Sequence, residues 1–303
     1  THQQHIEHSK NNTILYPAVG TSFVLSQATE MPSFVNYAKL RASWAQVGGG
    51  VPDPYTLNQS YSMVTSSGQP LQQITMTNGE YLLNNPSLKP FTSTTWEAGL
   101  DTKLFNNRLG VDLTYYLRRT TNDIVKTAIS GTSGYQNTYV NVGQVDNSGI
   151  ELLLTGSLVK TKNFSWNTSF NLAYNKNRVV QLTEGVNTIQ LATSVGSWAF
   201  VNTDAGRPYG IIKGYTMVTD SKGNIVYDTS TGYPVKGPIK EIGQGVAPLT
   251  TGFSNSFTYK NWNLDILLDG KFGNDVFSVM NVYAVRFGLQ KSTLPGRENG
   301  LVL

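Results

Sequence analysis

The sequence predicts an all-β fold: an antiparallel transmembrane β-barrel segment with long extracellular loops. Three observations carry this expectation. Stretches of roughly a dozen residues alternate between apolar and polar side chains, longer than the usual 5–6 of a soluble strand and enough for a tilted membrane crossing of roughly 9–11. The connections between them alternate between short and long, the signature of a barrel with periplasmic turns at one end and extracellular loops at the other. Composition agrees: charged residues are 14% of the 303, against about 25% in an average soluble domain, while Tyr (16) and Gly (29) are plentiful. Mean hydropathy is −0.24, and no window approaches the roughly 18 apolar residues of a membrane helix. A soluble β-sandwich or propeller shares this composition but gives no reason for alternating connection lengths.

Residues 1–14 are polar and read as the end of a loop. Tyr16 to Leu25 reads as a strand with Val19, Thr21, Phe23 and Leu25 on one face, and Gln27 to Asn36 as a turn carrying Pro32. From Lys39 to Val47, Leu40, Ala42 and Trp44 alternate with Lys39, Arg41 and Ser43. A long polar stretch runs from Gly48 to Leu88. The hairpin from Trp96 to Arg118 organises the chain. Asn106-Asn107, a pair that tolerates positive φ, closes it. That turn sets Leu104 against Leu109, Leu100 against Leu113 and Trp96 against Leu117, with every charged side chain on the opposite face.

Thr120 to Gln144 reads as a second polar loop, and Ile150 to Leu158 as a strand. From Phe164 to Asn175, Phe164, Trp166, Phe170, Leu172 and Tyr174 face one way and Ser165, Asn167, Ser169, Asn171 and Asn175 the other. Aromatic residues at both ends of that apolar face match the girdles of a membrane barrel. Residues 177–246 form the longest connection, with short β signals of its own at 211–215 and a turn at Asp220 to Asn224. The last hairpin, Thr250 to Phe272, turns at Lys260-Asn261 and pairs Tyr259 with Trp262, Phe257 with Leu264 and Phe253 with Leu268. It leaves one blemish, Asn255 on the apolar face opposite Ile266. The tail 274–303 loses the alternation. About eight long strands result.

Several chemistries are disfavoured. With no Cys there is no disulfide scaffold, thiolate metal site or Cys nucleophile. The net charge of +4 is scattered, with no footprint for nucleic acid. His2, His5 and His8 all lie in the polar N-terminal segment, without a helical pattern or a carboxylate cluster to make a metal site. The inward carboxylates Glu97, Asp101, Asp112, Glu151, Asp265 and Asp269 could suggest an acid–base pair, above all Asp101 opposite Asp112, but Lys103, Arg118 and Lys271 share their face. That mixture describes a hydrated wall, and no catalytic residues and no cofactor are expected. Asp220, Asn224 and Asp228 offer oxygens to a cation, but at the spacing of a hairpin turn rather than an EF-hand. The opening Thr1-His2-Gln3-Gln4-His5 is not a secretory leader, so the chain is expected to be mature or a piece of something longer.

A set of short segments, in order along residues 15–280, resembles the SusC/RagA family of TonB-dependent transporters of the Bacteroidetes. It comprises Tyr16 to Val19, Lys39 to Gly48, Asn85 to Pro90, Trp96 to Asp101, Phe105 to Leu109, Asn147 to Glu151, Thr258 to Leu264 and Gly270 to Val276. The resemblance implies about eight strands of a larger, 22-strand-type barrel, with residues 1–303 as part of one barrel domain and the plug domain and terminal strands lying outside them. It further implies residence in the bacterial outer membrane, uptake of an oligosaccharide or peptide, a SusD-like surface lipoprotein over the long loops, and energy from TonB through the plug. The alternative is a small closed barrel, or a surface binding or adhesion protein, without active transport. Loop aromatics are the candidate substrate contacts, because rings stack on sugars or peptides while their polar tips hydrogen-bond: Tyr55, Tyr61, Tyr135, Tyr139, Trp198, Tyr209, Tyr215 and Tyr233.

Overall fold

The computed structural model describes residues 15–50, 61–66, 69–74, 80–183 and 185–298. β1 (Ala18–Val24) passes through a single helical turn, α1 (Leu25–Ala28), into β2 (Val35–Gly49). The long stretch that follows holds a hairpin of β3 (Tyr61–Ser66) and β4 (Gln69–Ile74) and the short β5 (Leu82–Leu83). β6 (Phe91–Leu104), β7 (Leu109–Ala128), β8 (Asn137–Lys160) and β9 (Phe164–Gln181) then run as a continuous meander. A four-stranded sheet of β10 (Thr188–Thr193), β11 (Ala199–Asp204), β12 (Tyr209–Met217) and β13 (Lys236–Gln244) is inserted before the last hairpin, β14 (Leu249–Tyr259) and β15 (Trp262–Phe272). Helix α2 (Val279–Arg286) lies in the tail.

The main sheet has the order β1-β2-β6-β7-β8-β9-β14-β15, antiparallel throughout, with β5 pairing parallel to β8. The expected registers hold. Leu104 pairs with Leu109, Leu100 with Leu113 and Trp96 with Leu117. In the last hairpin Tyr259 pairs with Trp262, Phe257 with Leu264 and Phe253 with Leu268. The first turn holds one more left-handed residue than its Asn106-Asn107 pair suggests. Phe105, Asn106 and Asn107 all have positive φ (52°, 57°, 62°), an outlying conformation for an aromatic residue. Phe105 is held there from the neighbouring turn: its N–H donates to the Phe34 carbonyl at 2.8 Å, and the two rings stack at 5.8 Å.

One face of the sheet is apolar and left uncovered. Leu40, Trp96, Leu113, Tyr115, Ile150, Tyr174, Phe253, Leu264, Leu268 and Phe272 are all exposed, although they form one contiguous surface in register. A soluble protein of this size does not leave such a surface bare. Aromatic side chains mark both of its edges. Trp44, Trp96, Tyr115, Tyr174 and Phe272 stand at the long-loop end, with Phe34, Phe105, Trp166, Phe257, Tyr259 and Trp262 at the short-turn end. From Trp262 to Phe272 is ten residue steps; at about 3.4 Å each and a tilt of roughly 40° they rise about 26 Å, the height of an outer-membrane apolar band. No helix among the described residues is long and apolar enough to cross a membrane. The Asn255 blemish is accounted for: the Trp166 indole N–H donates to its amide oxygen at 3.0 Å, and Asn255 is only 7% exposed.

Two expectations need correction. Residues 120–144 are not a polar loop: β7 and β8 stay paired out to Ala128 and Asn137, leaving only residues 129–136 as the connection. The turn expected at Gln27 to Asn36 opens with the helical turn α1 and gives way to β2 at Val35; the tail, without strand alternation as expected, holds helix α2. The open wall of about eight strands is as expected, and the alternative of a closed eight-stranded barrel is not formed: among the described residues β1 and β15 are the open edges of the sheet.

The buried core lies at the long-loop end. Val145, Val179, Leu182 and Ile189 form one cluster, flanked by Val125, Val140 and Leu191. Leu82, Leu88 and Tyr139 form a second, packed against Ile124. In the apolar band the sheet is a single layer; above it, the inserted elements supply a second.

Candidate functional site

The polar face of the sheet is cross-linked by charge. Asp101 and Asp112 stand directly opposite each other on β6 and β7. Two carboxylates so placed would repel, or share a proton, unless cations intervene. Both cations come from β2. Lys39 approaches Asp101 at 3.2 Å. Arg41 reaches across β6 to grip Asp112 with both terminal nitrogens, at 3.0 and 2.6 Å, and to bond Thr114 at 2.5 Å. The crossing is possible because Arg41 passes over Gly99, where any Cβ would collide with its guanidinium. Gly149 does the same for Tyr116, whose ring fills the space of a Cβ. The pair is thus a cross-strand fork–fork contact. Towards the short turns the face becomes neutral: a groove of about 380 Å³ is lined by Thr155, Ser157, Asn167, Ser169, Ser254 and Ser256.

The four-stranded sheet is fixed above this polar face. The turn at 205–208 takes up backbone hydrogen bonds with Val179, and the Tyr209 N–H donates to the Asn177 side-chain oxygen at 2.7 Å. Asn177 in turn donates to Asn147, which also receives a bond from Asn175. Within the sheet, Lys213 pairs with Asp204 at 2.5 Å, both half-buried, and Arg207 forks onto Glu241. Burial pushes the Asp123 carboxyl above the usual carboxylate range. Burial, and then the neighbouring Asp123 charge, push the Tyr209 phenol up as well. The two groups mark the seam where the inserted sheet meets the wall. The tail closes over it: Asp275 bonds to both backbone groups of Gln244, and Tyr283 of α2 packs on Trp198 with ring centroids 5.1 Å apart.

Comparison with known proteins decides what kind of wall this is. Residues 3–286 match the family model described as TonB dependent receptor-like, beta-barrel. The chain belongs to that family. It is 24% identical over 298 residues to TonB-dependent receptor P26 of Formosa agariphila, covering 89% of this chain and 29% of the relative. It is 27% identical over 217 residues to TonB-dependent receptor SusC of Bacteroides thetaiotaomicron, covering 64% of this chain and 20% of the relative. The chain therefore spans less than a third of the length of these relatives. Among solved structures, the RagAB peptide transporter superposes with a TM-score of 0.69 at 20% identity, over 85% of this chain and 29% of that one.

TonB-dependent receptor barrels reside in the bacterial outer membrane, so the apolar face meets lipid, the polar face the lumen, and the long connections the outside. Seen in this receptor frame, the eight loop aromatics do not converge on one point. Tyr55 lies outside the described residues. Tyr61, on β3, hydrogen-bonds through its phenol to Tyr135. Tyr139 is buried with Leu82 and Leu88. Trp198 is taken up by Tyr283, and Tyr215 lies edge-on to Phe200 under the Lys236 ammonium, 3.3 Å from the ring centre. Tyr209 stands at the seam, partly open, and Tyr233 projects from a turn, 74% exposed. The tail ring of Tyr283 and the half-buried Asp123 are unmarked by the sequence pattern, which carries no periodicity there. His2, His5 and His8 also lie outside the described residues. Asp220 and Asp228 turn their carboxylates onto their own loops. Asp220 accepts first from the Asn224 side-chain amide and then from the backbone of Asn224 and Lys222, and Asp228 first from the Ser230 hydroxyl and then from the backbone of Ser230 and Thr231, which holds both below the ordinary carboxylate range.

Proposed function

We propose that this chain is the wall and loop portion of an outer-membrane importer for oligosaccharides or peptides, worked by TonB through a plug carried elsewhere in the same polypeptide. The inserted sheet with its exposed rings Tyr209, Tyr215 and Tyr233, flanked by Tyr61 of the separate β3–β4 hairpin, receives a SusD-like surface lipoprotein and the substrate it delivers. The single observation behind this reading is the pairing of an ion-bonded polar inner wall with a rigid sheet standing over it. Arg41 and Lys39 neutralise the two opposed carboxylates, so the wall offers hydroxyls, amides and balanced charge for a plug to slide against, without a fixed field to trap a solute. A hydrophobic cluster shared between the wall (Val145, Val179) and the loop sheet (Ile189) joins the two, which gives a lid a firm seat. The relationship to SusC supports the partner class.

The test uses the full-length receptor in its native membrane. Excising residues 188–244 and joining β9 to β14 through a short flexible linker should leave a heat-modifiable, folded barrel. It should also abolish co-purification of the surface lipoprotein and reduce uptake of labelled oligosaccharide or peptide to the level of a TonB-deficient strain. Undiminished TonB-dependent uptake with the sheet removed would refute the assignment of lid and substrate contacts to it.

A further inference from the structure

Just above the extracellular aromatic girdle, the lipid-facing side of the wall changes chemistry within two rows. The registers align Ala98, Tyr115, Ile150 and Tyr174 in one row across β6 to β9. The next row outward is Trp96, Leu117, Ser148 and Lys176; the one beyond it is Thr94, Arg119, Asp146 and Arg178. These rows form a groove of about 640 Å³, with Trp96 and Leu117 lining its inner end and Arg119, Asp146, Lys176 and Arg178 its outer end. Arg119 is oriented by a two-pronged contact to Asp146 at 3.0 and 3.1 Å, and Gln144 braces the same carboxylate at 2.9 Å. Among the described residues neither Lys176 nor Arg178 has a carboxylate within ion-pair distance. On the lipid-facing rows three cations stand against one anion, a net charge of +2, and Arg118, which also lines the groove, adds to it.

We propose that this groove binds the phosphorylated headgroup of a glycolipid of the outer leaflet. The side chains lie on the face that meets acyl chains lower down, so they cannot touch a solute passing through the lumen. Lys176 and Arg178 stand two and four residues beyond Tyr174, which at about 3.4 Å per residue and a tilt of roughly 40° puts them about 5 and 10 Å above the ring, the level of a headgroup layer about 5–8 Å thick. The groove offers what an acylated phosphosugar needs. Trp96 presents an exposed ring for a sugar face or the first methylenes. Lys176 supplies a point charge, and Arg178 a planar fork that matches two phosphate oxygens. Asp146 holds Arg119 in place and keeps the groove from being a featureless cationic patch.

The experiment uses the full-length receptor, extracted in mild detergent and observed by native mass spectrometry after addition of lipid A or of the same lipid stripped of its phosphates. The wild type should retain one phosphorylated lipid A at concentrations where the dephosphorylated form is lost. The double variant Lys176→Gln/Arg178→Gln should retain it at least tenfold less. The variant Lys222→Gln/Lys240→Gln, which removes the same charge from exposed positions of the loop region, should retain it like the wild type. Equal retention of both lipids by the wild type would overturn the proposal, and that comparison stands even if the double variant fails to fold. Equal retention by the double variant, or the same loss in the loop variant, would also overturn it. Equilibrium dialysis separates the source of the phosphate: inorganic phosphate binding as tightly as the lipid would make this a free-anion site and end the lipid assignment.

Discussion

Single residues on the lipid face carry more than hydrophobicity. Asn255 faces hydrocarbon, where no water can satisfy its amide, and Trp166 is the side chain that bonds and covers it. Replacing Trp166 with Phe keeps an aromatic ring but leaves the Asn255 oxygen unpaired, a loss of about 1–3 kcal/mol. Asn255→Leu should cost less, since an indole N–H near the membrane edge can turn to water, and adding it to Trp166→Phe should recover most of the stability. Urea unfolding of the full-length receptor in lipid vesicles measures all three, and a double variant no better than Trp166→Phe would mean that the bond does not govern the site. At the seam, Asp123 works in the opposite direction. Its carboxyl titrates above its ordinary value because it is half-buried and partly desolvated, so the charged form costs stability at neutral pH. Below the unfolded value, about 3.9, both states are protonated and that cost vanishes. Asp123→Asn should therefore slow amide exchange where the inserted sheet meets the wall at pH 7, with the advantage gone below about pH 4.

At the scale of strands, the lipid belt sets both the energetics and what a sequence can reveal. Leu113 on β7 and Leu268 on β15 sit within the apolar band on the lipid face, and Asn171 on β9 faces the lumen. Leu113→Arg or Leu268→Arg should each cost about 2–4 kcal/mol of membrane stability, whereas Asn171→Arg should cost far less. Equal losses of folded barrel for all three would contradict the assignment of faces. The same belt explains the limits of sequence reading. Within it every second residue must be apolar, so the hairpin registers at Asn106-Asn107 and Lys260-Asn261 were legible to the residue. Above it β7 and β8 continue with Thr121, Asp123, Asn141 and Thr138 in their ladders, and nothing in that polar pattern separates a strand standing in water from a loop. The inserted sheet was legible only at Ile211 to Tyr215, where its strand is buried. The pairing of Trp198 with Tyr283, some 85 residues apart, depends on a tertiary fold that no local pattern encodes. The ion pair of Arg41 with Asp112 was hidden for a related reason: alternation puts both on one face but does not show that Gly99 clears the path between them.

For the molecule as a whole, the decisive feature is that the sheet has two edges. β15 presents an unpaired edge from Trp262 to Phe272, and β1 another from Ala18 to Val24. About half the backbone groups of an edge strand point outward, so roughly ten on β15 alone would face hydrocarbon unpaired. At several kcal/mol each that is tens of kcal/mol, beyond the 5–15 kcal/mol by which proteins are stable. The buried clusters cannot compensate, because both lie above the membrane in the loop region. Residues 1–303 expressed alone should therefore not insert as a stable membrane protein, although the loop region should keep local structure. Refolded in detergent, the isolated segment should show no heat-modifiable band and no protease-resistant core of barrel size, while the same residues within the full-length receptor should show both. A compact, resistant monomer from the segment alone would mean that β1 and β15 find each other. The wall would then be a small closed barrel, and the inner face would have to fill itself with its own Ser, Asn and Thr side chains instead of facing a plug.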